Sequence, residues 1–141
     1  MRFTPQPQSS IRVVVIEDDE DDSELLLRQL RKSDIDSHVK FLADGKEALD
    51  FLSNLPPAMP FCNLIAIFLD LKLPSISGLQ LLPQIKQIPG LQNVPIIIMT
   101  GSLDPKDFEA CQRLNVAAFV QKPVTFESFS KVITGLTHLA S

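Results

Sequence analysis

The sequence predicts a doubly wound α/β domain, a parallel five-stranded sheet with helices on both faces. Three observations carry that prediction. Short β-branched or alternating apolar runs are each followed by an amphipathic stretch, five times over. The connections between them are short, which favours parallel strands joined by helical crossovers. The 141 residues, 45% hydrophobic and 21% charged, make one ordinary domain able to bury its own core.

Residues 1–10 are polar and proline-bearing and read as a flexible lead-in. Ile11 and Val13 to Ile16 form the first strand, β-branched as suits burial on both faces. Six consecutive acids follow, Glu17, Asp18, Asp19, Glu20, Asp21 and Asp22, then a leucine-rich stretch ending in Arg28, Arg31 and Lys32. Acids before the leucines and bases after them match a helix dipole and predict a helix over about residues 20–32. His38 to Ala43 alternates and forms the second strand. Asp44 caps the next helix, with Glu47 three residues on to answer it, and the helix runs to about Asn54. The proline-rich stretch from Pro56 to Pro60 cannot continue it.

Leu64 to Leu69 is the third strand and ends at Asp70. A helix over about 79–88 contains Pro83, so a kink or a late start is expected there. Val94 to Met99 is the fourth strand, closed by Thr100 and Gly101. Asp104 and Pro105 open a helix as cap and first helical residue. It ends near Asn115, a residue suited to a left-handed C-terminal position. Val116 to Val120 is the fifth strand, and Phe126 to about Leu139 the last helix.

Composition excludes several function classes. The formal net charge of −4 gives no general attraction to nucleic acid or to an anionic membrane. The apolar run Leu64 to Leu69 is far short of the ~20 residues a membrane span needs. The N-terminus lacks the apolar core of a signal peptide, so the expected location is the cytoplasm. Cys62 and Cys111 lie far apart among apolar neighbours and read as buried hydrophobes. With His38 and His138 the only histidines, both read as surface residues, a zinc site lacks its usual ligands.

In an open α/β sheet, ligands gather at the carboxyl ends of the strands. Those ends carry Glu17, Asp18 and Asp19 after the first strand, Asp70 after the third, Thr100 after the fourth, and Lys122-Pro123 after the fifth. Carboxylates packed together repel one another and recruit a proton or a cation. An all-oxygen ligand set favours magnesium over zinc. A lysine and a hydroxyl opposite such a site complete a clamp for a phosphoryl group.

The segments VVVIEDDE, LIAIFLDLKLPSISG, PIIIMTGS and FVQKP, in that order, resemble the receiver domain of bacterial two-component response regulators over roughly residues 11–139. The resemblance implies a flavodoxin-like (βα)5 three-layer sandwich with strand order 2-1-3-4-5. It implies that Asp70 is the phosphoacceptor and that Glu17 and Asp18 serve Mg2+, Asp18 directly and Glu17 mainly through water. Asp19 is the alternative if the register shifts by one. The backbone carbonyl of Lys72 matches a further metal ligand, Thr100 the switch hydroxyl, Phe119 the switch aromatic, and Lys122 the lysine of the site, followed by a cis bond to Pro123. The implied partners are a sensor histidine kinase or phosphotransfer protein and a downstream protein target. A homodimer through the face of the fourth helix, fifth strand and fifth helix is also implied. No nucleic acid, no membrane and no attached output domain are expected. LDLKLP and IIIMTGS are similar to stand-alone receivers that serve sensor kinases, including bacterial phytochrome kinases.

Two positions depart from the common pattern. Lys72 is long and cationic where it can shield an acyl phosphate, which implies slow self-dephosphorylation. Phe119 has no hydroxyl, so its switching must rest on packing. Glu20, Asp21 and Asp22 read as the solvated start of a helix, and Phe126 and Phe129 as core or interface. A flavin protein of similar topology would need a phosphate-cradling loop where the six acids stand. An aspartyl phosphatase would carry a second aspartate at the position of Lys72. A phosphate-independent binding module is the remaining alternative.

Overall fold

The computed structural model describes residues 11–32, 38–55, 64–73, 76–101 and 104–140. The expected lead-in at residues 1–10, and Cys62, lie outside them, as does the side chain of His138. Five strands alternate with five helices: β1 (Val13–Ile16), α1 (Glu20–Arg31), β2 (Val39–Leu42), α2 (Gly45–Ser53), β3 (Ala66–Asp70), α3 (Gly78–Lys86), β4 (Ile96–Thr100), α4 (Pro105–Arg113), β5 (Ala118–Gln121) and α5 (Phe126–Ala140). The strands form one parallel sheet in the order β2-β1-β3-β4-β5.

Strand alternation divides the core in two, because successive side chains point to opposite faces. Val14, Ile16, Ile67, Leu69, Ile96 and Ile98 pack with Ala48 and Leu52 of α2, Leu81, Leu82 and Ile85 of α3, and Cys111 of α4. Val13, Val15, Ala66, Phe68, Ile97, Met99 and Val120 pack on the other face with Leu26 and Leu30 of α1 and Phe129 of α5. The Phe68 and Phe129 rings stack at 4.9 Å and 18°, so Phe129 is a core residue. Truncating such a ring costs about 3–5 kcal/mol. Burial, then the Asp107 charge, push the Cys111 thiol pKa up, as befits an inert packed thiol.

The helix ends follow their sequence signals. Asp19 caps α1, its Oδ1 accepting from the Asp21 and Asp22 N–H groups at 2.9 and 3.1 Å. Asp44 caps α2 by accepting from the Lys46 N–H at 3.1 Å. A reciprocal capping box forms at α3, where Ser77 and Gln80 exchange hydrogen bonds. Its start at Gly78 corrects the late start expected from Pro83, which stands inside the helix. The box fixes the first turn upstream of the proline. Asp104 and Pro105 open α4 as expected. Asn115 has φ 58, and the Asn115 and Val116 N–H groups donate to the Gln112 and Cys111 carbonyls. That pairing is a Schellman motif and explains why an αL-tolerant residue follows α4.

The last three strands begin two residues later than expected and run one residue further, so Asp70 and Thr100 are themselves strand residues. Gly78 packs against this end of the sheet. A Cβ there would stand 2.4 Å from the Asp70 carbonyl oxygen and 2.7 Å from the Leu71 Cα, and its N–H already donates to the Leu71 carbonyl at 2.8 Å. Backbone cannot give way as a flexible side chain can. Gly78→Ala is therefore expected to lower stability by about 1–3 kcal/mol. A urea unfolding curve checks it, and a wild-type midpoint would contradict the packing described.

Candidate functional site

Sheet register brings the strand ends together. Ile16 pairs with Leu69, so Glu17 and Asp70 stand level on neighbouring strands. Asp70 pairs with Met99, and Thr100 with Gln121, so Thr100 and Lys122 follow one step further along the same edge. By alternation Glu17, Asp70 and Lys122 share the α1/α5 face, while Thr100 and Phe119 share the α3/α4 face. The Lys122 N–H donates to the Thr100 carbonyl at 2.8 Å, and the Lys122-Pro123 bond is cis.

Lys122 is the hub. Its ammonium lies 2.6 Å from Glu17 Oε1, 3.0 Å from Asp70 Oδ2 and 3.2 Å from Asp22 Oδ2. Glu17, Asp70 and Thr100 are buried, at 4%, 4% and 7% exposure. The other Asp70 oxygen, Oδ1, accepts from the Lys72 N–H at 3.1 Å, while the Lys72 residue itself is exposed. Glu17 Oε2 accepts from the Asp19 N–H at 3.2 Å.

Glu17, Asp18 and Asp70 each offer a carboxylate oxygen within 4.8 Å of the others. This cluster fits a hard divalent cation, because its donors are all oxygens and its charge is poorly compensated. Four carboxylates, counting Asp22, gather here, and one ammonium pairs with three of them, Glu17, Asp22 and Asp70. Asp18 is exposed, which leaves a coordinating position open to water. The Asp19 carboxylate is committed to capping α1, so the cluster is built with Asp18 and without Asp19.

Asp22 escaped the sequence reading, which placed it on a solvated helix start. One turn of α1 returns its carboxylate to the sheet edge, where it meets a lysine 100 residues away. Phe108 was likewise unassigned. Its ring packs on that of Phe119 at 4.8 Å and 30°, joining α4 to β5. An apolar residue on an amphipathic helix gives no sign of such a partner, and for Asp22 the one available signal was its place in the run of six acids.

Burial and neighbouring charges together shift Glu17 and Lys122. Burial first, then the hydrogen bond and charge of Asp70, push Glu17 up to about 8, with Lys122 and the Asp19 N–H opposing. Burial alone would lower the Lys122 ammonium, but the hydrogen bonds and charges of Glu17 and Asp70 more than reverse it, and the net direction is up. A carboxyl with a higher pKa folded than unfolded adds stability that is complete below its ordinary value of 4.5 and is lost as pH rises through about 8. Metal-free protein is thus expected to lose urea resistance between about pH 5 and about pH 9. Glu17→Gln should flatten that slope. An unchanged slope in the variant would show that Glu17 is not the titrating group.

Comparison with known proteins agrees with this geometry. Residues 13–134 match the response regulator receiver domain. The response regulator Rcp1 of Synechocystis is 32% identical over 126 residues, 88% of this chain and 84% of the relative. The bacteriophytochrome response regulator AtBRR has a solved structure with TM-score 0.74 and 35% identity, covering 90% of this chain and 93% of that one. Chemotaxis protein CheY4 of Vibrio cholerae, 17% identical with TM-score 0.75 over 89% of this chain and 98% of its own, shares the fold. Among the described residues no helix is long and apolar enough to cross a membrane. A five-stranded parallel sheet of this order, with its acids and lysine at one edge, is what that kinship describes: the chain belongs to the response regulator receiver domain family of two-component signalling.

Proposed function

We propose that this receiver accepts a phosphoryl group on Asp70 from the phosphohistidine of a sensor kinase or phosphotransfer protein, in a Mg2+-dependent step. The observation that carries the reading is the buried Asp70 carboxylate held between the Lys122 ammonium, at 3.0 Å, and the acids Glu17 and Asp18. Glu17, Asp18, Asp70 and the Lys72 backbone carbonyl would hold the ion. When bound, the ion supplies positive charge to the phosphoryl oxygens as they approach the acidic cluster.

An Asp70 oxygen forms the new bond to phosphorus while the bond from phosphorus to the histidine nitrogen breaks, its electron pair staying on the imidazole. The product is a mixed anhydride on Asp70, whose carboxylate charge is consumed. Lys122 then transfers a hydrogen bond from Asp70 to a phosphoryl oxygen. The Thr100 hydroxyl turns toward the same group. Its diagonal neighbour on the α3/α4 face is Phe119, which turns inward and leaves its packing on Phe108. The outcome is a population shift between two packings of the α4, β5 and α5 surface, read by a downstream protein or by a second copy of the chain. The protein turns over no substrate apart from its own acyl phosphate. The 35% identity to a bacteriophytochrome response regulator supports a kinase of that sensor class as the donor.

Incubation with Mg2+ and a small phosphodonor should add one phosphoryl group by intact mass, and Asp70→Asn should add none. An adduct that survives the substitution would refute the assignment. Lys72 is exposed and sits next to the acceptor, its backbone N–H donating to Asp70 Oδ1. Lys72→Asn is expected to shorten the phosphoryl lifetime several-fold. A lifetime equal to or longer than wild type would remove the shielding role.

A further inference from the structure

The Lys122 ammonium has three donors and meets three carboxylates. Two of these, Glu17 and Asp70, belong to the trio of metal-ligating candidates. A cation and a phosphoryl group at that trio would draw both away from the lysine. Asp22 stands apart from the trio, and it alone of the three partners would remain. It is also well placed to stay. It lies in the first turn of α1, where the Asp19 cap holds its N–H at 3.1 Å, and its side chain is one-third exposed against 6% for Asp70.

We infer that Asp22 is a positioning residue for phosphoryl uptake, anchoring the Lys122 ammonium on the α1 side of the cleft while its other donors pass to the phosphoryl oxygens. The assignment rests on the function proposed above. Asp22 itself touches no reacting atom. It limits the lysine to orientations that face Asp70, so less side-chain freedom is lost when the phosphoryl group arrives. Without it, Lys122 must be ordered anew after Glu17 and Asp70 are engaged, and the uptake step slows while the metal site stays intact.

The test uses the full chain with saturating Mg2+ and acetyl phosphate, and also follows the Lys122 ammonium by 15N NMR in the Mg2+-beryllofluoride complex. Asp22→Asn is expected to slow uptake about fivefold, to speed Lys122 ammonium exchange about tenfold, and to change Mg2+ affinity less than twofold. Asp22→Glu should restore both signals to within about twofold of wild type. Asp21→Asn removes the same charge from an exposed neighbour and should change neither. Uptake by Asp22→Asn at the wild-type rate or faster overturns the assignment, and so does an equal loss in Asp21→Asn, which would make the effect one of bulk charge. Wild-type protein that takes up no phosphoryl group would overturn the proposed function and this role together.

Discussion

One ammonium holds the functional edge of this molecule together. Lys122 arrives from the end of β5 and meets Glu17 from β1, Asp22 from α1 and Asp70 from β3, all within 3.2 Å. The carboxylates would otherwise repel one another in a buried site, and the lysine would otherwise be an unpaired buried charge. Neither is tolerable alone, since breaking a buried pair by removing one partner costs about 3–5 kcal/mol. The pairing is nonetheless incomplete. Acids outnumber bases, which favours a proton on Glu17 and suits the cluster to a divalent cation. In the function proposed above, this imbalance is what an incoming phosphoryl group and its metal would relieve.

The rest of the fold serves to hold that edge in register. Parallel pairing sets Glu17 level with Asp70, and Thr100 level with Gln121 just before Lys122. Alternation then sorts the edge by face. The charged groups look toward α1 and α5, while Thr100 and Phe119 look toward α3 and α4. Charge chemistry on one face and aromatic packing on the other meet at the end of β4. In the proposed function, this adjacency is the route by which a change in charge at Asp70 would reach the Phe108–Phe119 contact. Gly78 closes the arrangement from below, its missing side chain letting α3 begin against the backbone of Asp70.

Much of this was legible in the sequence because the informative residues are punctuation. Glu17, Asp70, Thr100 and Lys122 each stand where an apolar run stops, and strand ends are where an α/β sheet binds ligands. Asn115 was legible for a similar reason, as few other residues accept its backbone conformation. Ser77 and Gln80 stand at capping-box spacing in the sequence as well, yet Pro83 inside the helix pointed to a kink or a late start instead. Asp22 and Phe108 were not legible in the same way. Their roles depend on partners 100 and 11 residues distant, and nothing local separates them from an ordinary solvated acid and an ordinary apolar helix residue.

The central claim is that the group resting on Lys122, the Asp70 carboxylate, is the one that takes the phosphoryl group. Borohydride reduces an acyl phosphate to the alcohol, so treatment of phosphodonor-exposed protein followed by peptide mass mapping marks the modified carboxyl directly. The account predicts homoserine at position 70 alone, formed only when Mg2+ is present. Reduction at Asp18, Asp19 or Asp22, or at position 70 without Mg2+, would contradict it.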